Sequence, residues 1–501
     1  MARTAHPGPA AESARIMDVN RRSHTALRWA ASGLLLLPGA GICRAQAQNP
    51  SSAVSPFWGS VTAHPADDRI LRLSLDDAIS RGLETNLGLR EARAQEMAIE
   101  GERDQALQQF LPTITLTGDT GFYQHNLVAQ GFSPALLDKF AVLFPGGKLP
   151  PGFSTITRDT LTEGVLHFDE TLFSGPAISG WRAAGAAQRS AYYARMTAEG
   201  DTIQQVADTY LRAIADRSEV DDAKANVAQA RVLYNDVHQA HLAGTVANLE
   251  EARAQVELQA REQAQIAAQN ALDKDLILLK REIGVAPGQN IALTDGAPYA
   301  DLSEQTLPEL MALAYQDRQD YQNLQNQVQG FKAIHASYRS ERWPTLSFHG
   351  YYGAQTITTV GTHGVFMAAG TLSIPIFREA GLRGGEDASQ AQLDSARAQL
   401  DSLRQQIEEQ LRAALLDVSA AKQLVEVARS NVDLASRELS DETARVRAGV
   451  DTNLPLVTAQ ASLAGAESSL VESVYRYNTS KLALARAAGV LQFQYRQYLG
   501  R

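Results

Sequence analysis

The sequence predicts a mainly α fold with four short β-strands, in which a strand hairpin and a long helical hairpin occur twice. Three observations predict it. A glycine turn is repeated: Ala243-Gly244-Thr245-Val246-Ala247-Asn248-Leu249 and Ala448-Gly449-Val450-Asp451-Thr452-Asn453-Leu454 lie 205 residues apart and share Ala, Gly, Asn and Leu. Each turn interrupts a long helix-forming stretch with no internal proline, from Pro176 to Pro287 and from Pro375 to Pro455. Each such stretch follows two runs of alternating polar and apolar residues, the period of a strand with two different faces.

The duplication holds over the whole chain. Leu75/Leu307, Gln95/Gln327, Pro112/Pro344, Thr113/Thr345 and Gly118/Gly350 are all 232 apart. Ala223/Ala428, Val227/Val432, Gly244/Gly449, Leu279/Leu484, Arg281/Arg486 and Gly284/Gly489 are all 205 apart. The difference, 232 − 205 = 27, is extra sequence in the first strand hairpin, placed in the proline-rich stretch 127–160. Insertions collect in exposed loops, so the hairpin tips are expected to face solvent.

In chain order, residues 1–47 read as an export signal, with Met17 a possible true start. Arg21, Arg22 and Arg28 flank the short apolar stretch Trp29–Cys43, and Ala45-Gln46-Ala47 fits a small-x-small cleavage site. Cys43, the only cysteine, lacks the small residue before it and the Leu three before it that lipidation needs. The mature chain then has no thiol chemistry. Residues 48–72 read as an irregular lead-in, with Pro50, Pro56 and Pro65.

Repeat 1 spans 73–285. It opens with a helix from Leu75 to about Gln109, with Asp76 and Asp77 favouring its N-terminus, and closes that helix at Leu111-Pro112. Thr113–Thr117 and Val165–Leu172 are its strands; Leu166, Phe168, Glu170 and Leu172 share one face, His167 and Asp169 the other. Helices over about 177–242 and Leu249–Ile283 form the hairpin. Val220, Ala223, Val227, Ala230, Tyr234 and Val237 mark a heptad seam along the longer one. At the turn, Gly244 is expected to take the left-handed conformation and Asn248 to cap the returning helix.

Residues 286–306 read as a linker rich in Pro, Gly, Asp and Ser. Repeat 2 spans 307–490: a helix from Leu307 to Arg342, strands at Thr345–Phe348 and Val365–Ile376, and a hairpin turning at Gly449. Val425, Ala428, Val432, Ala435 and Leu439 form its seam, and 491–501 is left as a tail.

Four strands present two raw edges. A barrel in a membrane must close, and the smallest single-chain barrels use about eight strands. Strands of this chain that enter a membrane must therefore share a barrel with other copies. Three chains would give 3 × 4 = 12 strands, an allowed size.

The helix-Pro-strand junctions at Leu111-Pro112 and Trp343-Pro344, the strand-Phe-helix junctions at Phe173 and Phe377, and the paired glycine turns resemble the TolC-type outer-membrane efflux channel family over about residues 73–490. The resemblance implies a homotrimer in the cell outer membrane, a 12-stranded β-barrel above an α-helical barrel that crosses the periplasm. It implies passive export in a tripartite efflux or type I secretion system, with an inner-membrane pump, a periplasmic adaptor protein and outer-membrane lipid as partners. Gly244, Thr245, Asn248, Arg445, Arg447, Gly449, Asp451 and Asn453 would then form the periplasmic tip, its adaptor contact and its gate. The family's gating positions fall here on Val446, Asp451, Pro455 and Thr458, none of which keeps its type. Arg445, Arg447 and Asp451 are candidates for a different lock.

The function classes left out are equally readable. The formal net charge of −10 argues against nucleic acid as a partner. No phosphate loop, nucleophile elbow or zinc-protease helix occurs, so an enzyme, a catalytic site and a cofactor are not expected. His238 and His241 read as a polar helix face rather than a metal site. The alternative is a periplasmic adaptor (membrane-fusion) protein with helical hairpins, or a secreted coiled coil.

Overall fold

A computed structural model describes residues 55–500 apart from 56, 58, 62–63, 68, 127, 130, 132, 148–155, 297–298, 359–360 and 449–452. The export signal lies outside the described residues. The elements in order are β1 (Leu71–Leu73), α1 (Leu75–Thr85), α2 (Leu87–Gln108), β2 (Thr113–Asn126), α3 (Pro134–Ala141), β3 (Ile156–Phe173), α4 (Gly175–Leu242) and α5 (Asn248–Glu282). They continue with β4 (Ile291–Leu293), α6 (Leu307–Asp317), α7 (Gln319–Ser340), β5 (Thr345–Ile357), β6 (Gly361–Ser373), α8 (Glu379–Arg447), α9 (Asn453–Ala487) and α10 (Leu491–Tyr498).

The duplication is visible in helix lengths. α1 and α6 have 11 residues each, α2 and α7 have 22, α5 and α9 have 35, and α4 and α8 have 68 and 69. At about 1.5 Å per residue the two long helices run roughly 100 Å. Their interiors contain no proline to break them.

The single helices expected over 75–109 and 307–342 are each broken once. The breaks fall at Asn86 and Arg318, which are 318 − 86 = 232 apart. Both breaking residues leave the helical region, with ψ of 133° and 119°. Asn86 ends one helix and caps the next, its Oδ1 accepting from Leu89 N at 3.3 Å. The helix starts also match: Ser74 with Asp77 and Thr306 with Glu309 form capping boxes.

Four strands form one antiparallel sheet in the order β2-β3-β5-β6. The pairing of β3 with β5 joins the two repeats. β2, β3 and β5 run well beyond the alternation that marked them, whereas β6 starts earlier than expected and ends at Ser373, short of Ile376. The stretch 127–160, expected to be irregular, contains α3. A second, two-stranded parallel sheet pairs β1 with β4, inside stretches expected to be lead-in and linker. The C-terminal tail carries α10.

Toward the strands, α2, α4, α7 and α8 lie side by side; toward the glycine turns the order is α5, α4, α9, α8. The principal core sits between these halves, where β1, α1, α6 and α10 pack on the long helices through Leu73, Leu75, Tyr210, Ile214, Leu310, Ile407, Leu482 and Tyr498. On the first seam Val220, Ala223, Val227, Ala230 and Val237 are buried, and Tyr234 is half-buried.

Candidate functional site

The sheet has two chemically different faces because side chains alternate along every strand. Directly opposed residues share a face, so the register sorts them. Ile114 pairs with Phe168, Leu116 with Leu166, Leu166 with Tyr352, and Tyr352 with Phe366. This face is apolar and open: Leu116 is 74% exposed and Phe366 73%. Glu170 interrupts it, as the alternation implies, and toward the hairpin tips Thr120, Thr162, Gln124 and Arg158 share it. A contiguous apolar band of this kind needs lipid or protein to cover it.

The other face is polar. It carries Thr115, Thr117, Asp119, Asp159, Glu163, His167, Asp169, His349, Gln355 and His363. Its groups are tied to one another. His349 Nδ1 lies 2.8 Å from Asp169 Oδ1 and its Nε2 2.9 Å from Ser347 Oγ; His167 Nε2 lies 3.0 Å from Thr117 Oγ1. His167 and Asp169 thus fall on the polar face, as strand alternation places them.

Where strands meet helices, a girdle of large apolar residues is exposed: Leu111, Leu172, Phe173, Trp343, Ile376 and Phe377, the last 92% exposed. Leu111, Phe173, Trp343 and Phe377 among them are junction residues that carry the sequence resemblance. Aromatic side chains at such a level suit the boundary between lipid and water.

The far ends of the helices carry the turns. Gly244 has φ of +74°, the left-handed conformation expected of it. Gly244 N donates to His241 O at 2.8 Å and Thr245 N to Ala240 O at 3.0 Å, closing the last turn of α4. Thr245 Oγ1 also donates to Ala240 O, at 2.8 Å. Asn248 is not the cap expected of it. The N-cap is Ala247, which makes no side-chain cap bond, and Asn248 is the first helical residue. Asn248 therefore enters the helix one position too late to serve the free N–H groups.

Arg445 is paired with Glu442, Nε to Oε2 at 3.7 Å, one turn away on its own helix. Gly449, Asp451 and the side chains of Arg447 and Asn453 lie outside the described residues. His238 and His241 both face Glu251: His238 Nδ1 lies 2.6 Å from Oε1 and His241 Nε2 3.5 Å from Oε2. That ties α4 to α5 behind the turn. Among the described residues no group of His, Cys, Asp and Glu is arranged to hold a metal.

Sequence reasoning missed what joins the two tips. Leu233, Val237, Ala254 and Leu456 form a buried cluster, flanked by Tyr234, Val246, Leu439, Val446 and Val457. It joins all four long hairpin arms by apolar contact. The signal was present at Val446, an apolar residue where the resembled family has a gating group.

Among the described residues the two flanks of the chain are open. β2, α2 and α5 lie on one side, β6 and α8 on the other. Leu416, Leu424, Val427 and Leu434 are exposed along α8, and Val256, Ile266 and Ile277 along α5. Among the described residues no helix is long and apolar enough to cross a membrane.

Comparison with known proteins gives one family and one fold. Residues 78–285 and 310–490 match the family described as outer membrane efflux protein. The pyoverdine export outer membrane protein OpmQ of Pseudomonas aeruginosa is 24% identical over 335 residues, 66% of this chain and 70% of that one. The CmeC outer membrane channel of Campylobacter jejuni superposes with a TM-score of 0.69 at 15% identity, over 87% of this chain and 92% of that one. The outer membrane protein VceC of Vibrio cholerae gives 0.68 at 17% identity, over 83% and 96%.

Proposed function

The chain belongs to the outer membrane efflux protein family, and from that premise we propose that three copies close into one duct. It is an outer-membrane channel of an efflux system, with its helices extending into the periplasm. The adaptor alternative has no support here, since the strands sit at the helix ends opposite the turns and expose an apolar band.

The observation that carries the trimer is the alignment of unpaired flanks. The open edges β2 and β6 lie on the same two sides as the exposed helices α2/α5 and α8. A copy that pairs β6 with the next β2 also brings α8 against the next α5. Repeated by rotation, this head-to-tail contact closes. Three sheets of four strands give a 12-stranded barrel. The apolar face meets lipid, and the polar face lines the water-filled lumen. The girdle from Leu111 to Phe377 lies at the periplasmic boundary of the membrane.

The glycine turns then form the periplasmic mouth. The tip residues Gly244, Thr245, Asn248, Arg445, Arg447, Gly449, Asp451 and Asn453 meet a periplasmic adaptor, which links the duct to an inner-membrane pump. The duct needs no catalytic group, since the pump supplies the work and the channel only a polar path. The test is fractionation and electrophoresis with and without heating. The expected result is an outer-membrane trimer that dissociates on heating and conducts ions in a planar bilayer. Recovery as a soluble periplasmic monomer would overturn the reading.

A further inference from the structure

One of the two strand-helix junctions carries a patch of charge that its duplicate lacks. In repeat 2, Arg339 closes α7 and Arg342 follows it, four and one residues before Trp343. Arg378 and Arg383 stand at the start of α8, one and six residues after Phe377. The matching positions of repeat 1, 107–111 and 173–181, hold no charged residue. The repeat 1 junction is thus apolar and neutral, while that of repeat 2 is apolar and cationic.

Three carboxylates lie among these arginines, but deeper. Arg342 Nη1 is 2.8 Å from Glu386 Oε2 and its Nη2 3.3 Å from Glu379 Oε1, and Arg383 Nε is 2.7 Å from that same Glu379 oxygen. Arg339 and Arg378 are held loosely, 3.6 Å from Glu386 and 3.8 Å from Glu341. The side chains of Arg339, Arg378 and Arg383 are 67%, 61% and 72% exposed, against 29%, 30% and 46% for Glu386, Glu341 and Glu379. The guanidinium groups are therefore outermost. Four cations over three carboxylates leave the patch with an excess of positive charge.

The patch adjoins the most exposed apolar residues of the girdle. Trp343, Ile376 and Phe377 are 55%, 95% and 92% exposed. Along their helices the arginines lie within roughly 9 Å of these residues, at 1.5 Å per residue. The headgroup layer of a bilayer leaflet is itself about 5–8 Å deep. An apolar surface followed at once by outward guanidinium groups complements a molecule with apolar chains and an anionic head. Guanidinium presents paired N–H donors in the geometry of phosphate oxygens.

We propose that this junction binds an anionic phospholipid of the periplasmic leaflet, one per chain, with Arg378 and Arg383 meeting its phosphate and Ile376 and Phe377 lying along its acyl chains. The placement in a membrane rests on the channel reading. Glu341, Glu379 and Glu386 hold the guanidinium groups in position, and the excess cation supplies the attraction. The neutral junction of repeat 1 meets acyl chains only. In the trimer, three headgroup sites then alternate with three neutral junctions around the duct.

The test is native mass spectrometry of the full detergent-solubilised protein, titrated with phosphatidylglycerol or phosphatidylcholine, which share a phosphate and differ in net charge. The expected result is one retained phosphatidylglycerol per chain, held about 25-fold more tightly than phosphatidylcholine, a factor of about five for each of the two arginines. High salt should remove that preference. Arg378→Gln and Arg383→Gln should each lower it about fivefold, and the double variant should abolish it. Gln109→Ala, at the neutral junction, should leave it unchanged. Equal retention of the two lipids by wild type overturns the proposal. So does an unchanged preference in the double variant, which would mark these arginines as surface ion pairs or as contacts between copies. Displacement of the lipid by excess inorganic phosphate would make the ligand a free anion and also overturns it. If the variants fail to fold, the lipid preference of wild type and its loss in high salt decide. Failure of the channel reading looks different: the protein would be recovered from the soluble periplasm, whereas an outer-membrane oligomer with no lipid preference rejects the lipid site alone.

Discussion

Tyr210, at the centre of α4, donates its phenolic hydrogen toward the backbone oxygen of Leu73, 2.9 Å away in β1. Asp295 Oδ2 lies 2.9 Å from the same hydroxyl and accepts from Leu75 N at 2.8 Å. One buried ring thus ties the long helix to the small parallel sheet and to the start of α1. Tyr210→Phe is expected to cost about 1–2 kcal/mol, the worth of a buried hydrogen bond whose partner is left behind. Tyr210→Ala should cost about 3–5 kcal/mol through the cavity as well. Chemical denaturation measures both; a Phe variant as stable as wild type would show the hydroxyl to be idle.

The equivalent glycines should differ in cost from the tip glycine. Gly489 has φ of +80°, and a Cβ there would lie 2.6 Å from Arg318 N. Gly244 has φ of +74° and open space around it. Gly244→Ala is expected to cost about 1 kcal/mol, the left-handed penalty alone. Gly489→Ala must also push the backbone at Arg318 away, and should reduce the amount of folded protein recovered from membranes several-fold. Equal yields would mean that the Arg318 contact yields freely.

At the tips, apolar packing and charge make opposite predictions. Leu456 is buried in the cluster that joins the four arms. Leu456→Ser should raise single-channel conductance and sensitise cells to large antibiotics, because it removes about 2–5 kcal/mol of packing. Arg253→Gln should leave both unchanged, since its ion pair with Glu250 stays within one helix and is solvent-exposed on the Arg side. A conductance change in Arg253→Gln with none in Leu456→Ser would reverse the assignment.

Neighbouring strand residues should separate by face. Leu116→Arg puts a charge on the apolar face, costing about 2–4 kcal/mol if it sits at mid-membrane. It should lower the yield of heat-dissociable oligomer in the outer membrane. Thr115→Arg lies on the polar face and should leave assembly intact while shifting ion selectivity toward anions. The pair is scored by heated and unheated electrophoresis and by reversal potentials.

Most of the fold was readable because it rests on strong periods. The seam from Val220 to Val237 and the alternation from Thr113 to Thr117 each repeat a local rule many times. The turns were readable because Gly244 has to be left-handed. The helix breaks were not, because Leu83, Leu87 and Leu89 keep an apolar helical pattern through Asn86, and Arg318 is not a breaking residue. β1 and β4 are three residues each and pair across more than 200 positions, so neither has a local signature. α3 and α10, at eight residues each, are too short to show a period. At the tips Asn248 was assigned a capping role, but the N-cap position falls on Ala247. The apolar cluster depends on which arms meet, and no local period shows that.

The two long helices are unbroken, whereas their shorter companions are interrupted. α4 and α8 run without a joint from the strands to the glycine turns. α2 and α5, like α7 and α9, are separate pieces that stop at the central core. Mechanically, α4 and α8 are struts and the shorter pieces are jointed arms. A twist of α5 or α9 at the mouth can be taken up at the core by β4 and α10, so the membrane end need not feel it. A twist of α4 or α8 has no such relief and reaches the sheet. The fold therefore favours movement of the jointed arms around fixed struts, with the four-stranded sheet as a stationary anchor.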